Sequence, residues 1–252
     1  MRKRAEVMAD FAAMRRPVHP ASAGIFNPQA IAKWSAEMAA WRAATPDADA
    51  RWQALLDEDE ALDKAQAKAR AAQHRIQDVR IPKGVLSALV EPKPTRPFVD
   101  ALAWCAAPKQ YLALAGNVGT GKTVAAGAAL VRLMEGGASG AWLSAGAVTS
   151  TLGGFAGQAE MERMKHLDAL VVDDFGIEHL SGFAEMVFHE VLSARHENGG
   201  RTIFTHNLDK PTFRKRLGSR LADRIATACV YVECAGPSMR GEAVKSNEPS
   251  MR

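Results

Sequence analysis

The octapeptide GNVGTGKT sets Gly116, Asn117, Val118, Gly119, Thr120 and Gly121 ahead of Lys122 and Thr123. It fits the pattern G-x-x-x-x-G-K-[ST] without a gap, and this spacing has one well-understood chemistry. Glycines let successive backbone N–H groups turn inward around a β-phosphate, and the N-terminus of the following helix adds partial positive charge. An ammonium at Lys122 then reaches the β- and γ-phosphates, and the Thr123 hydroxyl suits a Mg²⁺ ion.

Two further patterns supply what such a loop lacks. The run LDALVVDDFG is apolar until it ends in Asp173 and Asp174. A strand of this kind set beside the loop's own strand would bring Asp173 to the shell of the metal and leave Asp174 to polarise a water. The run RTIFTHN ends in Thr205, His206 and Asn207. At the tip of a strand lying between the other two, the Asn207 amide would stand near a γ-phosphate and orient water. The segment DKPTFRKRLGSRLADR is the most basic in the second half, and Arg220 and Arg224 lie one helical turn apart in it. It admits three readings, a solvated face, a nucleic-acid contact or the source of an arginine acting on a neighbour's nucleotide, and charge pattern alone favours the solvated face.

The elements that must position these residues alternate strand and helix. Strands are expected at YLALAG, GAWLSA, DALVVDD, RTIFTHN and CVYVEC, with helices between them, the pattern of a five-stranded parallel sheet with flanking helices. Ahead of that α/β core the chain is Ala-rich and helical. Ile31, Trp34, Met38 and Trp41 form one amphipathic stripe, and a second helix is expected from Thr45 as N-cap and Pro46 as first residue to about Asp78. Prolines 82, 92, 94 and 97 mark a boundary. The expected layout is a small all-α domain over 1–80, a Pro-rich linker over 81–97, the nucleotide-binding core over 98–240 and a polar tail over 241–252.

The 252 residues carry 32 Lys and Arg against 28 Asp and Glu, a balance that permits polyanionic partners without demanding them. Cys105, Cys229 and Cys234 include no CxxC pair and no His neighbour at ligand spacing, so neither a zinc site nor a disulfide framework is indicated. The basic N-terminus has no apolar core, and no run of about 18 apolar residues occurs. A cytoplasmic protein without a membrane partner is expected.

In order and spacing, GNVGTGKT, ALVVDDFG, TIFTHN, LGSRLADRI and GPSMR resemble the AAA+ ATPase core of the DnaC/DnaI/IstB family, over residues from about 81 to 240. The resemblance implies ATP and Mg²⁺ as ligands, with 116–123 as Walker A and Asp173 and Asp174 as Walker B. Asn207 matches sensor 1, in a motif that commonly reads Thr-Ser-Asn and here has His206 in the middle. Arg220 and Arg224 are both eligible as the trans-acting finger, and Arg240 resembles the sensor 2 arginine. RIPKGV resembles the stretch that packs on adenine, which implies Ile81 and Pro82 near the base. The segment before Walker B corresponds to the helical insertion that lines a single-strand channel, with Thr149, Ser150 and Thr151 as its polar groups.

Members of that family load replicative helicases or assist transposases. The implied activity is an ATP-dependent helicase loader whose N-terminal helices hold a DnaB-like ring helicase, which engages single-stranded DNA and self-associates through shared ATP sites. The alternative within the family is a transposition helper acting on duplex DNA. A small-molecule kinase fits less well, because no Arg-rich lid is present and the arginines fall late in the chain. A non-hydrolysing scaffold is disfavoured by the intact Lys122, Asp173 and Asp174.

Overall fold

The computed structural model describes residues 2–18, 28–45, 47–147, 154–176 and 182–239. The chain divides into two compact units, Met1–Arg70 and Ala71–Arg252. The first holds α1 (Arg4–Ala13), α2 (Pro28–Ala44) and most of α3 (Ala48–Asp78). Its small core gathers Met38, Trp41 and Ala48, with Met14 and Trp34 against them. The Trp41 indole N–H donates to the Met14 carbonyl at 2.7 Å, so the large ring is buried without an orphaned donor. Ile31 stands 41% exposed, so the expected stripe begins one turn later, at Trp34.

Two boundaries differ from expectation. Helix α3 starts at Ala48, whose N–H donates to the Thr45 carbonyl at 3.1 Å; Pro46 lies outside the described residues. The division between units falls at residue 70, inside α3, instead of at 80, because no break in the helix marks it.

The stretch expected as a linker is largely helical. It forms α4 (Lys83–Val90) and the start of α5 (Arg96–Ala106), and both belong to the second unit. Val85 is buried, and a Cβ on Gly127 would lie 2.3 Å from its Cγ1, so α4 seats on the Walker A helix where that helix has no side chain. The prolines start and end these helices instead of opening a coil: Pro82 is the N-cap of α4 and Pro97 lies in the first turn of α5.

The second unit is an α/β layer structure. Its strands are β1 (Tyr111–Ala115), β2 (Gly140–Ser144), β3 (Ala169–Asp173), β4 (Arg201–His206) and β5 (Cys229–Glu233). They form one sheet in the order β2-β3-β4-β1-β5, with every pairing parallel. The helices are α6 (Lys122–Glu135), α7 (Gly154–His166), α8 (Gly182–Glu197), α9 (Lys210–Leu217) and α10 (Ser219–Ala228). A single turn of 3₁₀ helix, Ala145–Ala147, follows β2. The central strands are buried on both faces, which explains their continuous apolar runs. Tyr111, Ala113, Val172 and Phe204 pack toward Phe175, Phe188 and Phe213 on one side. Leu112, Leu114, Val171 and Ile203 pack toward Trp104, Ala125 and Leu130 on the other.

One expectation about the sheet is corrected. The strand ending in Asp173 is not the neighbour of β1; β4 lies between them, with Ala115 paired to His206 and Val172 to Phe204. The strand that carries Thr205 and His206 and leads into Asn207 does occupy the place expected of it, between the other two.

Candidate functional site: a phosphate cradle at the strand tips

The loop from β1 to α6 is shaped by its glycines. Gly119 and Gly121 have φ of 85° and 87°, the left-handed region that side chains avoid, and Gly121 is the N-cap of α6. Lys122 is buried to 6% exposure, and its Nζ donates to the carbonyls of Gly116 and Asn117, both at 2.7 Å. The ammonium is thereby held inside the loop that must receive phosphate. The Thr120 hydroxyl donates to the Asn117 carbonyl at 2.9 Å and closes the turn, while Val118 is 61% exposed at its tip.

Asp173 ends β3 beside this loop and is buried. Its Oδ1 accepts a 2.6 Å hydrogen bond from the Thr205 hydroxyl, and the Thr123 hydroxyl lies close enough to favour the charged carboxylate. Burial pushes the Asp173 carboxyl above the usual range, and the charge of Asp174 adds to this; the Thr205 and Thr123 hydroxyls and the Lys122 ammonium act against it. A carboxylate and a hydroxyl side by side in a dry, cation-hungry position form a hard oxygen set that fits Mg²⁺. Asp174 is exposed at φ 58°, with its backbone N–H donating to the Thr205 Oγ1 at 2.9 Å. One threonine therefore fixes both acids.

A cavity of about 320 Å³ opens on the loop, lined by Gly119, Gly121, Lys122 and Thr123 on one wall. Ala88, Glu91, Lys93 and Thr95, from the α4–α5 connection, form the opposite wall with Met239. Ile81 and Pro82 are not among its lining residues. Ile81 is buried in the core with its N–H on the Val79 carbonyl, and Pro82 lines a separate groove with Trp142. The residues of this stretch that face the cradle lie farther along the chain than the adenine-side segment implied by the resemblance.

Asn207 is exposed just beyond the end of β4. His206, one residue earlier, is fully buried, stacked on Phe213 at 4.2 Å with an interplanar angle of 11°. Burial lowers its pKa to about 4, so the imidazole is neutral, and its Nδ1–H donates to the Leu208 carbonyl at 3.2 Å. Arg220 and Arg224 both lie on α10, and neither lines the cavity. Arg224 pairs with Glu197 at 3.5 Å; Arg220 is exposed and makes no ion pair among the described residues. Arg240, Thr149, Ser150, Thr151 and the tail over 241–252 lie outside the described residues.

Residues 95–247 match the family of IstB-like ATP binding proteins. The chain belongs to that family. Comparison with curated proteins gave no match. Among solved structures, the crystal structure of DnaI is 21% identical, covering 62% of this chain and 96% of that one, with a TM-score of 0.52. The crystal structure of the DnaC helicase loader is 20% identical, covering 61% and 99%, also with a TM-score of 0.52. At these identities the likeness establishes the fold, a P-loop AAA+ core. No helix among the described residues is long and apolar enough to cross a membrane, and those residues contain no cluster of metal-binding type.

One part of this IstB-like site escapes a reading of the sequence: the role of Thr205 comes from facing Asp173 on the neighbouring strand. The only signal for it was a hydroxyl on the strand next to the acids. The segment around Met239, part of the GPSMR motif, closes on the loop: its N–H donates to the Gly119 carbonyl at 2.9 Å, while a Cβ on Gly119 would meet the Ser238 Oγ at 2.0 Å. The GPSM sequence thus lies directly on the phosphate loop.

Proposed function

We propose that this protein is an ATP-dependent helicase loader that works in the cytoplasm. Its N-terminal helices hold a hexameric, DnaB-like ring helicase, and its AAA+ cores associate side by side on single-stranded DNA. ATP lies between subunits. On one side Lys122 and the loop amides of 116–123 bind phosphate, Thr123 and Asp173 hold the Mg²⁺, and Asp174 and Asn207 orient the attacking water. The bound metal would neutralise charge developing on the phosphates. The neighbour supplies an arginine, and Arg240 acts as sensor 2.

The observation that carries this reading is the division of the charges. The cradle is lined by Lys122 and Thr123 with Asp173 buried beside them, yet no arginine lines it among the described residues, while Arg220, on an outer helix, makes no ion pair among those residues. Arg220 is the better finger than Arg224, which is already tied to Glu197. Loss of the γ-phosphate would remove the finger's target and loosen the assembly.

The match to IstB-like proteins favours a second reading, a transposition helper that acts on duplex DNA with a transposase. ATP hydrolysis by the full chain, measured with single-stranded DNA, with duplex DNA and with a ring helicase, separates the two. Stimulation by single strands together with capture of the helicase supports the loader; stimulation by duplex alone, with no helicase bound, overturns it in favour of the helper.

A further inference from the structure

His206 joins two parts of the molecule that the proposed reaction keeps in separate roles. Upstream, its strand tip is pinned by backbone on both sides. The Gly116 N–H donates to the His206 carbonyl at 3.2 Å, and the Phe175 N–H donates to the Thr205 carbonyl at 2.8 Å. Downstream, only Asn207, Leu208 and Asp209 separate it from α9.

That short turn is held tightly. Leu208 closes against Gly176, where a Cβ would lie 2.4 Å from its Cδ1, and the carboxylate of Asp209 caps α9 by accepting from the Thr212 N–H at 2.7 Å. Helix α9 continues into α10 through the single residue Gly218, and an Arg214–Asp223 pair at 2.8 Å ties the two helices together. Arg220 rides on the second of them. The hairpin meets the strand tip at the His206–Phe213 stack, the closest ring contact that Phe213 makes among the described residues. The His206 Nε2 has no hydrogen-bond partner among the described residues, so the ring is placed by stacking and by one bond from Nδ1.

We infer that His206 is a positioning residue, which transmits the position of the strand tip bearing Asn207 to the α9–α10 hairpin bearing Arg220. A subunit's own nucleotide thereby sets where its arginine stands for the neighbour. This rests on the shared-site reading above. The serine common at this position in the resembling family has no ring to stack. Because the backbone ladder fixes the strand tip without help from the ring, loss of the imidazole should loosen the hairpin more than the subunit's own cradle.

Subunit mixing tests this direction. Lys122→Ala subunits have no working cradle but an intact arginine; Arg220→Ala subunits have the reverse. Mixed together they should recover hydrolysis, and if they do not, the shared site fails and the inference falls with it. Given that control, His206→Ser mixed with Lys122→Ala should regain activity by about tenfold over either alone, whereas His206→Ser mixed with Arg220→Ala should not. His206→Phe, which keeps a ring on Phe213, should donate its arginine nearly as well as the unaltered chain. Nucleotide affinity of His206→Ser should stay within about twofold, which also shows that it is folded. Equal recovery with both partners, recovery with Arg220→Ala alone, or loss of nucleotide binding overturns the inference while leaving the shared site standing.

Discussion

The hydroxyl of Thr205 donates to Asp173 Oδ1 at 2.6 Å while accepting from the backbone N–H of Asp174 at 2.9 Å. A neutral side chain on the central strand therefore sets the angle between two acids on the next. That relationship follows from sheet order, since β4 separates β3 from β1 and its tip reaches both.

Thr205→Val keeps the shape and removes both hydrogen bonds. A buried acceptor left without its donor costs about 1–3 kcal/mol, so kcat for ATP hydrolysis should fall by about tenfold to a hundredfold. Nucleotide affinity should change little, and Thr205→Ser should keep most of the activity. Steady-state hydrolysis combined with nucleotide titration checks it; an unchanged kcat removes Thr205 from the site.

The two arginines of α10 should separate cleanly. Arg220→Ala should lower partner-stimulated hydrolysis by about 10³-fold or more, the usual effect of losing an arginine finger. Arg224→Ala gives up a half-exposed pair with Glu197 and should leave the rate within a few-fold. The reverse ranking in a hydrolysis assay would move the finger to Arg224.

The buried imidazole makes stability depend on pH. His206 has its pKa lowered by burial from 6.5 to about 4, so between those values the unfolded chain binds a proton that the folded chain refuses. Its contribution is fully present above about pH 6.5, shrinks as pH falls and is lost below about 4, a total of about 3 kcal/mol. Unfolding by urea at pH 7 and pH 5 should show a larger drop for the unaltered chain than for His206→Ser. Equal drops would mean the imidazole titrates normally.

Gly127→Ala opposes two effects of known size. Alanine improves helix propensity by about 1 kcal/mol. Against this, its Cβ would lie 2.3 Å from Val85 Cγ1, and overpacking costs about 1–3 kcal/mol. Net destabilisation is expected, relieved when Val85→Ala is added, as a double-mutant cycle in thermal unfolding would reveal.

What the sequence made legible was whatever depends on local pattern. The five strands announce themselves as apolar runs because both faces of the sheet are covered, and the phosphate loop is contiguous. The α4 helix was hidden because prolines bracket its eight residues and punctuation normally marks a coil. The division at residue 70 was hidden for the opposite reason, since α3 runs through it without a breaker. The motifs holding Thr205 and Met239 were legible but their contacts, Thr205 with Asp173 and Met239 with Gly119, were not, because those partners are set by strand order and chain return. Arg195 is similar. It lies near a helix end, is fully buried and donates to the carbonyls of Met164, Leu167 and Arg201, partners that only the folded chain brings together.

The contact of Met239 with the phosphate loop has a practical side. A fluorophore attached through Met239→Cys would sit on the wall of the nucleotide cavity. The native thiols would compete poorly for the label: burial raises Cys229 and Cys234 to about 11 and pushes Cys105 up as well, leaving little thiolate at neutral pH. The chain thus offers one natural place for an optical reporter of occupancy, readable in real time while subunits, DNA and partner are added in any order.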